Sequence, residues 1–289
     1  MPKTTTSPGL HFVKAQNFAA VPYLETSSLM ATHKGRVKFS VSKPNVLVGP
    51  NGSGKSALLT ALALRTLSYF TGETSLDEHF LGNSHRQQFW QPEGYAWQHK
   101  HAYLAGLTCE THNAPALYYR PGHIPGNETC VTTAMMTGYF ERAKAHARQV
   151  EQKSSGQASQ ALLARVLAVL AGAPFPDKPT RDNWGHSLTP VDLSKQRYVC
   201  ERDVMVNVLL GLAAPGESAL PLVLMDEPEQ SLDALAEAQL WKKLEGVDCS
   251  RTQVIVASHS LYPLLHPAKF NLIETQKGYL EAVRAAMAG

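Results

Sequence analysis

Eight residues, Gly49-Pro50-Asn51-Gly52-Ser53-Gly54-Lys55-Ser56, constrain the fold of this chain more than any other stretch. They satisfy G-x-x-x-x-G-K-[ST] and stand between Val46-Leu47-Val48, suited to a buried strand, and Ala57 to Leu64, suited to a helix packed on a sheet. Glycines let the backbone wrap closely around an anion and turn its N–H groups inward. Those donors and the positive end of the following helix, from Gly49 through Ala57, would hold phosphate oxygens. Lys55 would reach the outer phosphates, and the Ser56 hydroxyl would ligate Mg²⁺. A glycine turn before an ordinary core helix is the competing reading. The coincidence of strand, loop, Lys-Ser pair and helix argues against it, so an α/β fold with a nucleoside triphosphate site is expected.

A phosphate loop fits many unrelated proteins, and the remaining motifs narrow the choice. Leu222-Val223-Leu224-Met225 ends in Asp226-Glu227, as a buried strand would deliver two carboxylates to the carboxyl edge of a parallel sheet. Phosphoryl transfer needs one carboxylate to organise the metal and another to orient the attacking water, roles that suit Asp226 and Glu227 respectively. Read alone, Asp-Glu after a strand would be a capped helix start. A second strand, Val254-Ile255-Val256-Ala257, ends in Ser258-His259-Ser260, which places His259 to reach a γ-phosphate. Between the two, Pro228 to Asp233 leads into a helix from Ala234 through Leu244. Upstream, Lys153-Ser154-Ser155-Gly156-Gln157 opens a helical stretch from Ala158 to Leu170. This turn can offer hydroxyl, backbone N–H and helix-dipole contacts to a second anion, or its serines can simply cap the helix.

In this order the motifs resemble the ATP-binding-cassette (ABC) ATPase superfamily, a class of P-loop NTPases, along the chain from Gly49 to Ser260. The resemblance implies a soluble enzyme that binds and hydrolyses ATP with Mg²⁺, using Lys55, Glu227 and His259, the last as a switch histidine. It further implies a head-to-tail dimer in which Ser154, Ser155, Gly156 and Gln157 of one protomer close over the phosphates held by another, with Ser231 and Asp233 in a D-loop at the interface. A Q-loop glutamine should link Mg²⁺ to the helical lobe. Gln87, Gln88, Gln91 and Gln98 are candidates, with Gln88 favoured. Asp226-Glu227-Pro228-Glu229 resembles the RecF, OLD and SMC-type branch, whose small stand-alone ATPases serve DNA repair, recombination and phage defence, whereas transporter cassettes usually carry a small or aromatic residue at the place of Glu229. The alternative is the cytosolic nucleotide-binding subunit of an ABC transporter, in which Gln157 and Leu162-Leu163-Ala164-Arg165 would not look foreign.

The expected architecture is one ABC-type ATPase domain over 1–289, with an N-terminal antiparallel β-region and a helical lobe carrying the signature turn. Two segments exceed a compact core. The first, 71–150, holds no sustained heptad and so no coiled-coil arm; it reads as a compact inserted lobe. Six of the chain's 12 histidines fall between Thr71 and Pro125, with aromatics such as Tyr118 and Tyr119. His99 and His101 give a weak zinc pattern, and the aromatics beside Arg86 and Lys100 either stack on single-stranded bases or form core. The second, 172–218, contains the proline-rich breaker Ala173 to Arg181 and an expected helix from Ser194 to Leu212, either a partner-docking surface or a loop with an extra helix.

Composition sets outer bounds. At 289 residues and 44% hydrophobic content the chain can bury a large core. No stretch approaches the roughly 20 apolar residues of a membrane span, and Met1 to Gly9 lacks the apolar core of a signal peptide, so a cytoplasmic location without membrane insertion is expected. Cys109, Cys130, Cys200 and Cys249 form no C-x-x-C pair and suit reduced structural thiols. A net charge of +3 does not by itself mark a nucleic-acid binder. Residues 1–44 nevertheless carry Lys3, Lys14, Lys34, Arg36, Lys38 and Lys43 against Glu25, either a solvated strand face or a DNA footprint. The partners expected are a second copy of the chain, a nuclease or other effector protein, and DNA.

Overall fold

Short apolar strands buried along their whole length form the centre of the molecule, and strands of alternating burial cover one side. The structure is a computed structural model and describes residues 9–16, 22–66, 69–70, 73–74, 107–109, 116–121, 155–175, 192–195, 197, 220–230 and 232–288. In chain order its elements are β1 (Phe12–Ala15), α1 (Pro22–Glu25), α2 (Ser28–Thr32), β2 (Arg36–Lys38), β3 (Asn45–Val48), α3 (Lys55–Thr66), β4 (Tyr69–Phe70), β5 (Glu73–Thr74), β6 (Leu107–Cys109), β7 (Ala116–Tyr119), α4 (Ser155–Leu170), β8 (Leu222–Asp226), α5 (Ala234–Glu245), β9 (Gln253–Ser258), α6 (Tyr262–Leu265), β10 (Asn271–Glu274) and α7 (Tyr279–Ala288).

Two sheets result. The larger has the order β10-β3-β9-β8-β7-β4-β5. Its neighbours run parallel from β10 through β4, and β5 closes the edge as an antiparallel hairpin with β4. The smaller is the expected N-terminal antiparallel region, in the order β2-β1-β6. The segment expected as an inserted lobe thus contributes β6 to one sheet and β7 to the other.

Each central strand is buried on both faces, which explains its continuous apolar character. On one face Leu47, Leu224, Ile255 and Ile273 pack with Leu58, Leu59 and Leu62 of α3 and with the small sheet. On the other, Val46, Val223, Met225, Val254 and Val256 pack with Leu163 and Val166 of α4 and with Leu240, Trp241 and Leu244 of α5. Trp241 is fully buried and meets Phe270 edge-on at a centroid distance of 5.6 Å.

The register brings the motif-bearing strand ends together. Val48 of β3 pairs with Ser258 of β9, and Ala257 pairs with Asp226 of β8. Loops that leave the carboxyl ends of neighbouring parallel strands converge on one crevice, the usual ligand position in such sheets. Ser194, the expected start of a long helix, lies in a 3-10 turn at Leu193–Lys195 capped by the Asp192 carboxylate. The rest of that helix, apart from Arg197, lies outside the described residues.

Candidate nucleotide-binding site

Between β3 and α3 the loop adopts a shape that its glycines permit. Gly52 and Gly54 take φ values of +72° and +104°, in the left-handed region that side chains disfavour. A Cβ on Gly54 would lie 2.5 Å from the Cβ of Ser27, and one on Gly49 would overlap the Thr275 side chain. Two neighbouring segments therefore mould the loop. Ser27, which caps α2, lies below it, while Leu29 N–H donates to Ser53 O at 3.0 Å. From the other side Thr275, fully buried just past β10, donates its hydroxyl to Ser53 Oγ at 2.7 Å and its N–H to Val48 O at 2.8 Å.

The N–H groups of Asn51 to Ser56 precede Leu58, whose N–H donates to Gly54 O at 3.0 Å as α3 begins. With the α3 N-terminus, these N–H groups supply the positive partial charge that phosphate requires. Lys55 is 4% exposed and donates from Nζ to the carbonyls of Gly49 and Pro50, at 2.9 and 3.0 Å. Burial lowers its pKa, and the nearby Glu227, Asp226 and Glu229 partly offset that effect.

On β8, Asp226 is 2% exposed and accepts from Ser56 Oγ at 2.9 Å and from the Tyr118 hydroxyl at 3.2 Å. Arg120 Nε lies 3.8 Å from the same carboxylate. Burial raises the Asp226 pKa above the ordinary carboxylate range, opposed chiefly by the Ser56 bond and Arg120. A hydroxyl paired with a buried carboxylate supplies hard oxygen donors, which suit Mg²⁺. Tyr118 and Arg120 were not foreseen as site residues. The sequence offered only an aromatic run, and their role depends on β7 pairing with β8.

Glu227 follows with φ +48°, and its N–H donates to Ala257 O at 2.8 Å. His259 Nε2 lies 3.4 Å from Glu227 Oε1, both side chains about one-third exposed. Glu229, noted in the sequence only as a branch marker, accepts from Ser258 Oγ at 2.6 Å and from His259 N–H at 2.8 Å. Burial raises its pKa against those bonds.

The remaining expectations are placed unevenly. Asp233 is exposed and caps α5, accepting from the N–H groups of Leu235 and Ala236 at 2.9 and 2.8 Å. Ser155, Gly156 and Gln157 form the first turn of α4, which starts three residues earlier than the apolar pattern implied. Ser154, Ser231, Gln88 with its alternatives Gln87, Gln91 and Gln98, and the His99 and His101 pair lie outside the described residues. Among the described residues no group of three or more His, Cys, Asp or Glu side chains forms a metal cluster, and no helix is long and apolar enough to cross a membrane.

Comparison with curated proteins returns no match. The model of the family described as ABC transporter matches residues 35–181. That continuous stretch runs from the second strand through the phosphate loop and past residues 154–157, and covers half of the 289 residues. The chain therefore belongs to the ABC transporter family and is a P-loop ATPase that binds ATP with Mg²⁺ and hydrolyses it.

Proposed function

We propose that this ATPase works as a head-to-tail dimer in which each site is built from two protomers, and that the cycle controls DNA repair, recombination or phage-defence machinery. The convergence of three strand ends carries the reading: Lys55 and the Ser56–Asp226 pair stand beside Glu227, which in turn meets His259 at 3.4 Å. The N–H groups of the loop from Gly49 to Ala57 hold the phosphates, and Lys55 exchanges its carbonyl partners for the outer phosphate oxygens. Ser56 and Asp226 hold Mg²⁺, which when bound neutralises charge on the phosphates. Glu227 orients the attacking water and accepts its proton, while His259 contacts the γ-phosphate. Ser154 to Gln157 of the second protomer complete the phosphate shell, and Asp233 and Ser231 lie at the shared interface.

The Asp226-Glu227-Pro228-Glu229 run supports the repair or defence setting. The second reading is the cytosolic nucleotide-binding subunit of a transporter, which shares the same ATPase domain. The two differ in their dependence on DNA. ATPase rates measured at low salt without DNA and with duplex, single-stranded and broken-end DNA should rise with one of these ligands, and Lys55→Ala should abolish nucleotide binding. No stimulation and no DNA binding under conditions where phosphate contacts are strongest would overturn the DNA reading.

A further inference from the structure

We infer that Glu229 is a positioning residue for hydrolysis, whose carboxylate fixes the backbone of His259 and thereby sets that histidine's approach to Glu227. The inference rests on the role proposed above for Glu227 and His259. Its basis is a set of bonds across two adjacent strand ends. The turn after β8 is tied to consecutive residues of the β9 tip: Glu227 N–H donates to Ala257 O at 2.8 Å, and Glu229 Oε1 accepts from Ser258 Oγ at 2.6 Å and from His259 N–H at 2.8 Å. Turn bonds hold Glu229 itself, with Gln230 N–H donating to Glu227 O and Leu232 N–H to Glu229 O, both at 3.0 Å. Beyond the histidine the chain is fixed as well. Ser260 N–H donates to Ser258 Oγ at 2.9 Å, and the Ser260 hydroxyl donates to Glu237 Oε1.

Among the described residues the other oxygen, Glu229 Oε2, is buried and has no hydrogen-bond partner. A carboxylate retained for stability would pair both oxygens, because an unpaired buried oxygen opposes folding. Local conflicts of this kind collect where a group is held for function. Glu229 uses one oxygen to fix the Ser258 hydroxyl and the histidine's own N–H, and Glu227 itself occupies a left-handed conformation. Both ends of the Glu227–His259 contact are therefore imposed by backbone restraints.

The test compares Glu229→Gln, Glu229→Met, His259→Ala and the Glu229→Met/His259→Ala double variant in the full chain, measuring kcat, KM, ATP affinity and Tm. The amide oxygen of Gln can replace Oε1, so Glu229→Gln should keep kcat within about threefold, whereas Glu229→Met should lose about tenfold or more in kcat with ATP affinity nearly unchanged. In the His259→Ala background Glu229→Met should add less than about a twofold loss, the non-additivity expected of residues acting through one another. Losses that multiply, or Gln as damaging as Met, would overturn the positioning role while leaving the site reading intact. A His259→Ala enzyme with the wild-type rate would instead overturn the reading of His259, and the inference with it. If Glu229→Met does not fold, Ser258→Ala removes one of the two bonds and should lower kcat without changing ATP affinity; an unchanged kcat would count against the inference.

Discussion

The Ser56 hydroxyl donates to Asp226 Oδ1 at 2.9 Å, joining the start of α3 to the end of β8 across 170 positions of sequence. This bond helps hold a buried carboxylate in place. Asp226 is nearly inaccessible, and among the described residues the Ser56 and Tyr118 hydroxyls, the more distant Arg120 guanidinium and the Lys55 charge offset its burial.

Ser56→Ala therefore weakens two things at once. A hydrogen bond to a buried charged group contributes about 1.5–3 kcal/mol, so the nucleotide-free variant should melt several degrees lower. Its ATPase rate should fall at least about tenfold, with saturation shifted to higher Mg²⁺, because one of the two hard-oxygen donors is gone. Thermal unfolding and a Mg²⁺ titration of the rate check both. A variant with unchanged Mg²⁺ dependence would remove Ser56 from the metal site.

The fit between Gly49 and Thr275 gives a paired prediction. Gly49→Ala would drive its methyl group into the Thr275 side chain, whose Cβ would lie 2.9 Å away. Overpacking at a rigid site costs about 1–3 kcal/mol, and the displaced loop should lose ATP affinity. Adding Thr275→Gly to the same chain removes the obstacle, so the double variant should bind ATP more tightly than Gly49→Ala alone. Fluorescent-nucleotide titration decides it: a double variant that binds no better would show that Thr275 is not what fixes the loop.

The motifs legible in the sequence are those whose chemistry and spacing are local. The loop from Gly49 to Ser56, Asp226-Glu227 and His259 each follow an apolar run, and each lies at a strand end because strand and loop are adjacent in the chain. What shapes the site around them is not local. Tyr118 reaches Asp226 from 108 positions away, and Thr275 reaches Ser53 from 222. Those meetings follow from the order of strands in the sheet, which periodicity does not reveal. The placement of β6 and β7 escaped for the same reason: both are short runs in a segment whose histidines and aromatics read as a separate lobe, and only their pairing partners identify them as sheet.

Glu229 predicts a pH dependence of stability with a definite sign. Burial raises its pKa in the folded protein above the ordinary value of 4.5. The folded state then holds its proton more tightly than the unfolded state does. Its contribution to stability is complete below pH 4.5 and declines as pH rises through the folded-state pKa. Glu229→Gln cannot ionise and escapes this decline. The difference in Tm, Gln variant minus wild type, should therefore grow in the positive direction from pH 4.5 towards neutrality. A difference that stays flat or shrinks over that range would mean that burial of the carboxyl is offset by partners in the folded state.

Glu227 separates strain from chemistry. Its φ of +48° is unfavourable for a side-chain-bearing residue by about 1 kcal/mol, and glycine adopts the same conformation freely. Glu227→Gly should thus raise the Tm of the nucleotide-free chain by up to about 2–4 °C while losing hydrolysis. Glu227→Gln keeps the strain, the shape and much of the polar character but cannot accept the water's proton. It should leave Tm nearly unchanged, reduce turnover by about 100-fold or more, and accumulate an ATP-bound dimer in gel filtration with Mg²⁺. If Glu227→Gln stays monomeric under those conditions, the site must be completed by a different chain, since the residue that would end the closed state by hydrolysis has been disabled without disturbing the phosphate loop.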